Sequence, residues 1–123
     1  PILFLKDNHG HETIQSYYRA ADFCLVSSLH DGMNLVAKEF VASRDDEKGA
    51  LILSRFAGAS HEFKSALLIN PYDLEGAANA VYQALTMLPE EQKERMTHLR
   101  SILLEHNVYR WAAEHITELI KAF

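Results

Sequence analysis

Short, uninterrupted apolar runs alternate with helical patterns over residues 1–88, and this alternation constrains the fold most. Four of the runs have the length of a strand, at residues 2–5, 23–28, 50–54 and 66–69. Continuous apolar runs are typical of strands that helices cover on both faces, so the sheet is predicted to be parallel. The fold class is therefore α/β, with a Rossmann-like sheet of about four strands, flanking helices and a helical C-terminus.

Helical periodicity and capping residues mark five helices. One stripe runs from Ile14 to Ala21 and a second begins at Leu35. Asp73 is predicted to cap a third helix, and Pro89 to open a fourth. A polar break at residues 106–107 precedes the last helix, whose apolar side consists of Ala112, Ile116, Leu119, Ile120 and Phe123. Residues 43–49 are predicted to form a surface loop.

The composition bounds what the chain can be. Its 123 residues, 48% of them hydrophobic, match one domain over residues 1–123. A net charge of -5 without a basic cluster argues against a nucleic-acid partner. No apolar stretch is long enough to span a bilayer and no signal pattern is present, so we predict a cytoplasmic protein without a membrane partner. The histidine spacing fits no common metal site, and no cofactor is expected.

The segment at residues 28–39 is the candidate binding site, because it leaves a strand and enters a helix, which is where α/β sheets bind ligands. Gly32 lets the backbone turn, and the N–H groups of residues 33–36 would point at an anion such as a diphosphate. Asp31 and Glu39 are placed to accept hydrogen bonds from sugar hydroxyls. The alternative is that Asp31 only caps the helix and Glu39 is a solvated acid.

The block Asp-Gly-Met-Asn-Leu-Val-Ala-Lys-Glu at residues 31–39 resembles the nucleotide-sugar signature of trehalose-6-phosphate synthases. These are retaining glycosyltransferases with two Rossmann-like domains, the GT-B architecture. The resemblance continues through residues 53–59, 66–73 and 84–87 and thins after residue 90. It implies that the chain is the C-terminal part of the donor-binding domain.

The resemblance implies a role for individual residues of the block. Contacts to the donor glucose are implied for four consecutive residues, Asp31, Gly32, Met33 and Asn34. The backbone amides of Leu35 and Val36 would meet the diphosphate, and Glu39 would bind the ribose hydroxyls. By a looser match, His9 falls where the family contacts the nucleobase. The implied donor is a nucleotide-glucose, with UDP-glucose expected.

In the complete enzyme, the resemblance implies glucosyl transfer to glucose 6-phosphate in trehalose biosynthesis. The catalytic residues of the family lie upstream of anything in this chain, so we expect none here and no catalysis by the chain alone. The implied partner is an N-terminal acceptor domain or subunit, and a bare sheet edge would also let two copies pair. The alternative is a stand-alone, non-catalytic module that binds a nucleotide-sugar or assembles with a subunit.

Four further residues have two interpretations each. Glu62 either orients a ligand hydroxyl or is a loop acid without a partner. Lys38 is interpreted as a solvated helix lysine rather than a phosphate ligand. Trp111, with Tyr109, is interpreted as a residue that packs in the core or between helices rather than as a platform for a base or sugar.

Overall fold

The computed structural model describes residues 2–122, and the side chains of all of these except residue 108. In chain order the elements are helix α1 (His11–Ala20), strand β1 (Phe23–Val26), helix α2 (Leu35–Ser43), strands β2 (Ala50–Ser54) and β3 (Leu67–Ile69), and helices α3 (Leu74–Thr86), α4 (Pro89–Glu105) and α5 (Val108–Ala122). A short 3-10 turn, Gly58–His61, lies between β2 and β3.

The three strands form a parallel sheet in the order β1-β2-β3, which confirms the α/β class and the parallel prediction. Every residue of the central strand β2 is buried. Leu51 and Leu53 pack in one apolar cluster with residues of α2 and α4, and Ala50 and Ile52 pack in another with residues of α3. Helices therefore cover both faces of β2, which explains its uninterrupted apolar sequence.

The strand predicted at residues 2–5 is wrong in this structure. These residues form no strand, and Ile2 is 98% exposed. A strand is stable only when neighbouring strands take its hydrogen bonds and a core takes its side chains, and this run has neither here. Within residues 2–122 the sheet accordingly has three strands rather than about four, and Leu25 of β1 is 49% exposed.

The helix boundaries that depend on local chemistry are confirmed. The Asp73 side chain accepts a hydrogen bond from the Gly76 N–H at 3.0 Å, and Pro89 occupies the first turn of α4. The break at residues 106–107 separates α4 from α5.

The packing predicted for Trp111 and Tyr109 is wrong, because both side chains are exposed. Phe123 lies outside the described residues.

The segment after α2 contains a buried arginine that the surface-loop prediction did not anticipate. Arg44 is 4% exposed, and its Nη1 donates to the carbonyl oxygens of Tyr18, Arg19 and Ala21 at 2.6–2.9 Å. Its Nε and Nη2 donate to the Asp46 carboxylate at 3.1 and 3.2 Å. Arg44 therefore supplies donors for the last carbonyl groups of α1 and ties α1 to the segment after α2.

Within residues 2–122, no helix is both long and apolar enough to cross a membrane. The cytoplasmic location stays a prediction.

Candidate functional site

Asn34 makes the turn that leads from β1 into α2. Its backbone is left-handed, with φ of 73°, and its Oδ1 accepts a hydrogen bond from the Ala37 N–H at 2.8 Å. Asn34 is therefore the N-cap of α2, so the alternative in which Asp31 caps this helix is wrong. The chain bends at Gly32 as predicted, but not through a left-handed glycine, because the only described glycine with a positive φ is Gly49.

The Asp31 carboxylate organises the loop before the helix. Its Oδ1 accepts from the N–H groups of Met33 and Asn34 at 3.1 and 3.0 Å, and its Oδ2 accepts from Asn34 Nδ2 at 2.9 Å. Asn34 Nδ2 also donates to the Ser28 hydroxyl at 3.3 Å. Two of the four N–H groups predicted to face an anion, those of residues 33 and 34, are thus already used within the loop.

The N–H groups of Leu35 and Val36 remain available. Neither finds an acceptor in the part of the chain that the structure describes, and both residues are exposed. The first N–H groups of a helix have no intrahelical partner and carry the positive end of its dipole. Two adjacent donors at an exposed helix start form a site suited to an anionic oxygen.

A second loop, which follows β2, holds the first one in place. The Gly58 N–H donates to the Asp31 carbonyl at 2.8 Å, and the Ala59 N–H donates to the Met33 carbonyl at 2.7 Å. A Cβ atom on Gly58 would collide with the Gly32 carbonyl, so only glycine permits this close approach. A Cβ atom on Gly32 would meet nothing within 4 Å, so that residue borders open space.

The open space beside Gly32 is a cleft of about 690 Å³. Gly32, Met33, Leu35 and Lys38 line one side of it. The residues lining the other side come from the end of α4, the break after it and the start of α5, and include Leu103, His106, Arg110 and Trp111. A largely apolar cleft with a few polar groups is the usual form of a small-molecule site.

Three charged or titratable side chains from separate elements meet in this cleft. Glu62 Oε2 lies 3.6 Å from Lys38 Nζ, and Glu62 Oε1 lies 3.5 Å from His106 Nδ1. The interpretation of Glu62 as a loop acid without a partner is therefore wrong. Lys38 is not a solvated lysine either, because its side chain is only 21% exposed.

At the rim, Arg110 Nε donates to Glu114 Oε1 at 2.8 Å. This hydrogen bond lowers the pKa of Glu114 and raises the pKa of Arg110. Both groups stay charged at neutral pH. Within residues 2–122, no group of three His, Cys, Asp or Glu side chains could hold a metal ion.

The predicted ribose and nucleobase residues lie towards α1 rather than in the cleft. Glu39 lies near Tyr18; burial, followed by the negative charge of Glu39, raises the pKa of Tyr18. His9 packs edge-on against Tyr17 with ring centroids 5.8 Å apart, and its buried Nε2 has no hydrogen-bond partner among the described residues. The predicted residues therefore fall on two sides of the α2 N-terminus, with Gly32, Met33 and Leu35 on the cleft side.

The comparisons with known proteins identify the family. The family model described as glycosyltransferase family 20 matches residues 1–121. A trehalose-6-phosphate synthase of Sinorhizobium fredii is 47% identical over 120 residues, which are 97% of this chain and 26% of that protein.

Solved structures agree with the fold. A UDP-forming α,α-trehalose-phosphate synthase of Burkholderia xenovorans, in complex with glucose-6-phosphate, superposes with a TM-score of 0.91 at 40% identity, covering 97% of this chain and 27% of that one. An Escherichia coli structure bound with UDP-2-fluoro glucose gives 0.88 at 39% identity, covering 94% and 26%. The chain thus spans about a quarter of the length of these proteins.

Proposed function

The chain belongs to glycosyltransferase family 20, and on that premise we propose that it is the donor-side portion of a trehalose-6-phosphate-synthase-like glycosyltransferase. In this proposal residues 1–123 act as one domain, the C-terminal nucleotide-sugar-binding part of a GT-B enzyme. The observation that carries it is that the N–H groups of Leu35 and Val36, two exposed residues, have no acceptor in the described part of the chain.

Each residue of the loop then has a role in holding the donor. Leu35 and Val36 bind the diphosphate through their N–H groups. The donor glucose lies against the loop made by Asp31, Gly32, Met33 and Asn34, and open space beside Gly32 supports this placement. Because the Asp31 carboxylate already accepts three hydrogen bonds, its main contribution is to shape the loop.

Glu39 binds the ribose hydroxyls, and His9 lies near the nucleobase. Support comes from the place of these two side chains beside α1, since Glu39 lies near Tyr18 and His9 packs against Tyr17. UDP-glucose is the proposed donor, because relatives of known structure are described as UDP-forming or as bound with a UDP-sugar analogue.

In the complete enzyme, this portion serves the transfer of a glucosyl group to glucose 6-phosphate in trehalose biosynthesis. Its chemical contribution is to orient the donor and to stabilise the negative charge that grows on the leaving diphosphate. Transfer also needs the acceptor held beside the donor in a closed cleft. An N-terminal acceptor domain or subunit would supply that wall, so the 123-residue chain alone is expected to be inactive.

A second candidate is a non-catalytic module that binds a nucleotide-sugar or assembles with a subunit. The exposed apolar residues favour it, because unpaired apolar surface commonly marks a contact with another protein surface. They lie at residues 2–5 and along α5, where Trp111, Ile116, Leu119 and Ile120 are all exposed.

Calorimetric titration of the chain with UDP-glucose, ADP-glucose and GDP-glucose tests the binding role. We expect saturable binding, tightest for UDP-glucose. No heat with any of the three would contradict the proposal. Glucosyl transfer to glucose 6-phosphate by the pure chain would contradict the expected inactivity.

Glu39→Ala tests the ribose contact. We expect the affinity for the donor to fall by about ten- to a hundredfold, because charge-assisted hydrogen bonds are lost. The matched control is Glu75→Ala, which removes an exposed acid from the first turn of α3. An unchanged dissociation constant for Glu39→Ala would remove this residue from the site.

A further inference from the structure

The position of Lys38 makes it a candidate ligand for an anion. It is the only basic residue of α2. It follows Leu35 by three positions, and residues three apart lie on the same face of a helix. Both residues line the cleft. An anion bound by the Leu35 N–H would therefore lie along the helix face that carries the Lys38 ammonium group.

The present partner of Lys38 holds it only weakly. The 3.6 Å between Lys38 Nζ and Glu62 Oε2 is longer than a hydrogen bond, and partly exposed ion pairs of this kind contribute at most about 1 kcal/mol. A diphosphate carries more negative charge than one carboxylate and accepts hydrogen bonds directly. It should therefore displace Glu62 from Lys38.

After this exchange Glu62 would still lie close to a second side chain. Its other oxygen faces His106 Nδ1 at 3.5 Å, from the break between α4 and α5. The cluster thus has one acid between two basic groups, of which one is free to change partner. A lysine suits this role, because its ammonium is a compact charge on a flexible stem.

We propose that Lys38 is a further ligand of the donor diphosphate, held beside the cleft by Glu62 until the donor binds. The proposal rests on the proposed function, since it adds a residue to the same site. It assigns opposite roles to the two members of one ion pair. Lys38 attracts the diphosphate, whereas Glu62 competes with it for Lys38.

The test is a calorimetric titration with UDP-glucose and, separately, with inorganic pyrophosphate, at low and at high salt. Lys38→Met should weaken the binding of both ligands by about tenfold and reduce the salt dependence of that binding. Glu62→Gln should strengthen it by about threefold. The matched control is Lys93→Met, which removes the same charge from an exposed lysine outside the cleft. Circular dichroism and thermal melting show that each variant is folded.

The outcomes separate this proposal from the proposed function. Unchanged affinities for Lys38→Met, with UDP-glucose bound by the unaltered chain, would overturn the role of Lys38 alone. Equal weakening by Lys38→Met and Glu62→Gln would also overturn it. If the ion pair only stabilised the fold, replacing either member would weaken binding. If the unaltered chain binds pyrophosphate but not UDP-glucose, the proposed function fails and the pyrophosphate titrations still decide on Lys38. Binding of neither ligand contradicts both.

Discussion

At the C-terminal end of α2, every nitrogen of the Arg44 side chain donates to an acceptor, whereas at the N-terminal end the N–H groups of Leu35 and Val36 have none in the described part of the chain. Both ends lie beside loops that carry a carboxylate, Asp46 at one end and Asp31 at the other. The Asp46 carboxylate is used to hold the arginine, and the Asp31 carboxylate is used to shape a loop that leaves donors exposed.

From the difference between the two ends we infer which polar groups stabilise the fold and which are available to a ligand. A buried donor without an acceptor costs free energy, so a network that stabilises the fold is closed, as it is around Arg44. Donors that face solvent lose little when unpaired and can be used by a ligand. We therefore expect changes at the C-terminal end to alter stability, and changes at the N-terminal end to alter affinity for the donor.

Arg44→Met should have the largest effect. It leaves the carbonyl groups of Tyr18, Arg19 and Ala21 without the donors that Arg44 supplies, so the free energy of unfolding should fall by about 3 to 5 kcal/mol. Urea denaturation measures it. Arg19→Met, which removes an exposed arginine paired with Asp45 at 3.7 Å, is the control and should cost less than about 1 kcal/mol. Equal losses in the two variants would contradict a special role for Arg44.

High pH should have the next largest effect on stability. Burial raises the pKa of the Cys24 thiol from 9.0 to about 11, so the folded state favours the neutral thiol. The resulting stability is fully present below pH 9 and is lost as the pH rises through 11, by about 2 to 3 kcal/mol in total. The raised pKa of Tyr18 acts in the same direction. Urea denaturation between these pH values should show the fall, and Cys24→Ala should remove most of it; a fall of equal size in that variant would refute this assignment.

A pair of glycine variants should separate stability from binding at the N-terminal end. Gly58→Ala forces the two loops apart, so the free energy of unfolding should fall by about 1 to 3 kcal/mol and donor affinity should fall with it. Gly32→Ala places its methyl group in open space, so stability should change by less than about 0.5 kcal/mol while donor affinity falls. Thermal melting and calorimetry measure the two effects. Equal melting temperatures for the two variants would show that the loops are not in close contact.

Features set by neighbouring residues could be predicted from the sequence. Asp73 and Pro89 mark helix starts because a cap and a fixed φ act within one turn. Strand β2 could be predicted because it is covered on both faces. The run at residues 2–5 has the same apolar composition but lacks a neighbouring strand here, and sequence composition cannot supply one.

The cleft could be predicted only on one side. Gly32, Met33 and Leu35 belong to a continuous block with a recognisable pattern, whereas His106, Arg110 and Trp111 reach the cleft through the packing of α4 and the direction of α5. The only local signal was the polar break at residues 106–107. The sequence also did not show that Asn34 rather than Asp31 caps α2, because both residue types cap helices and the hydrogen bond from the Ala37 N–H to Asn34 Oδ1 distinguishes them.

The sequential strand order has a consequence for how quickly the parts of the sheet form. Ile52 pairs with Leu67, whereas Phe23 pairs with Ala50, so the β2–β3 contact closes about 15 residues and the β1–β2 contact about 27. The entropic cost of closing the longer segment is greater by about 0.5 kcal/mol. Pairing of β2 with β3 should therefore come first, with β1 added afterwards. The loop that holds Leu35 and Val36 would then be among the last parts of the chain to take its native shape.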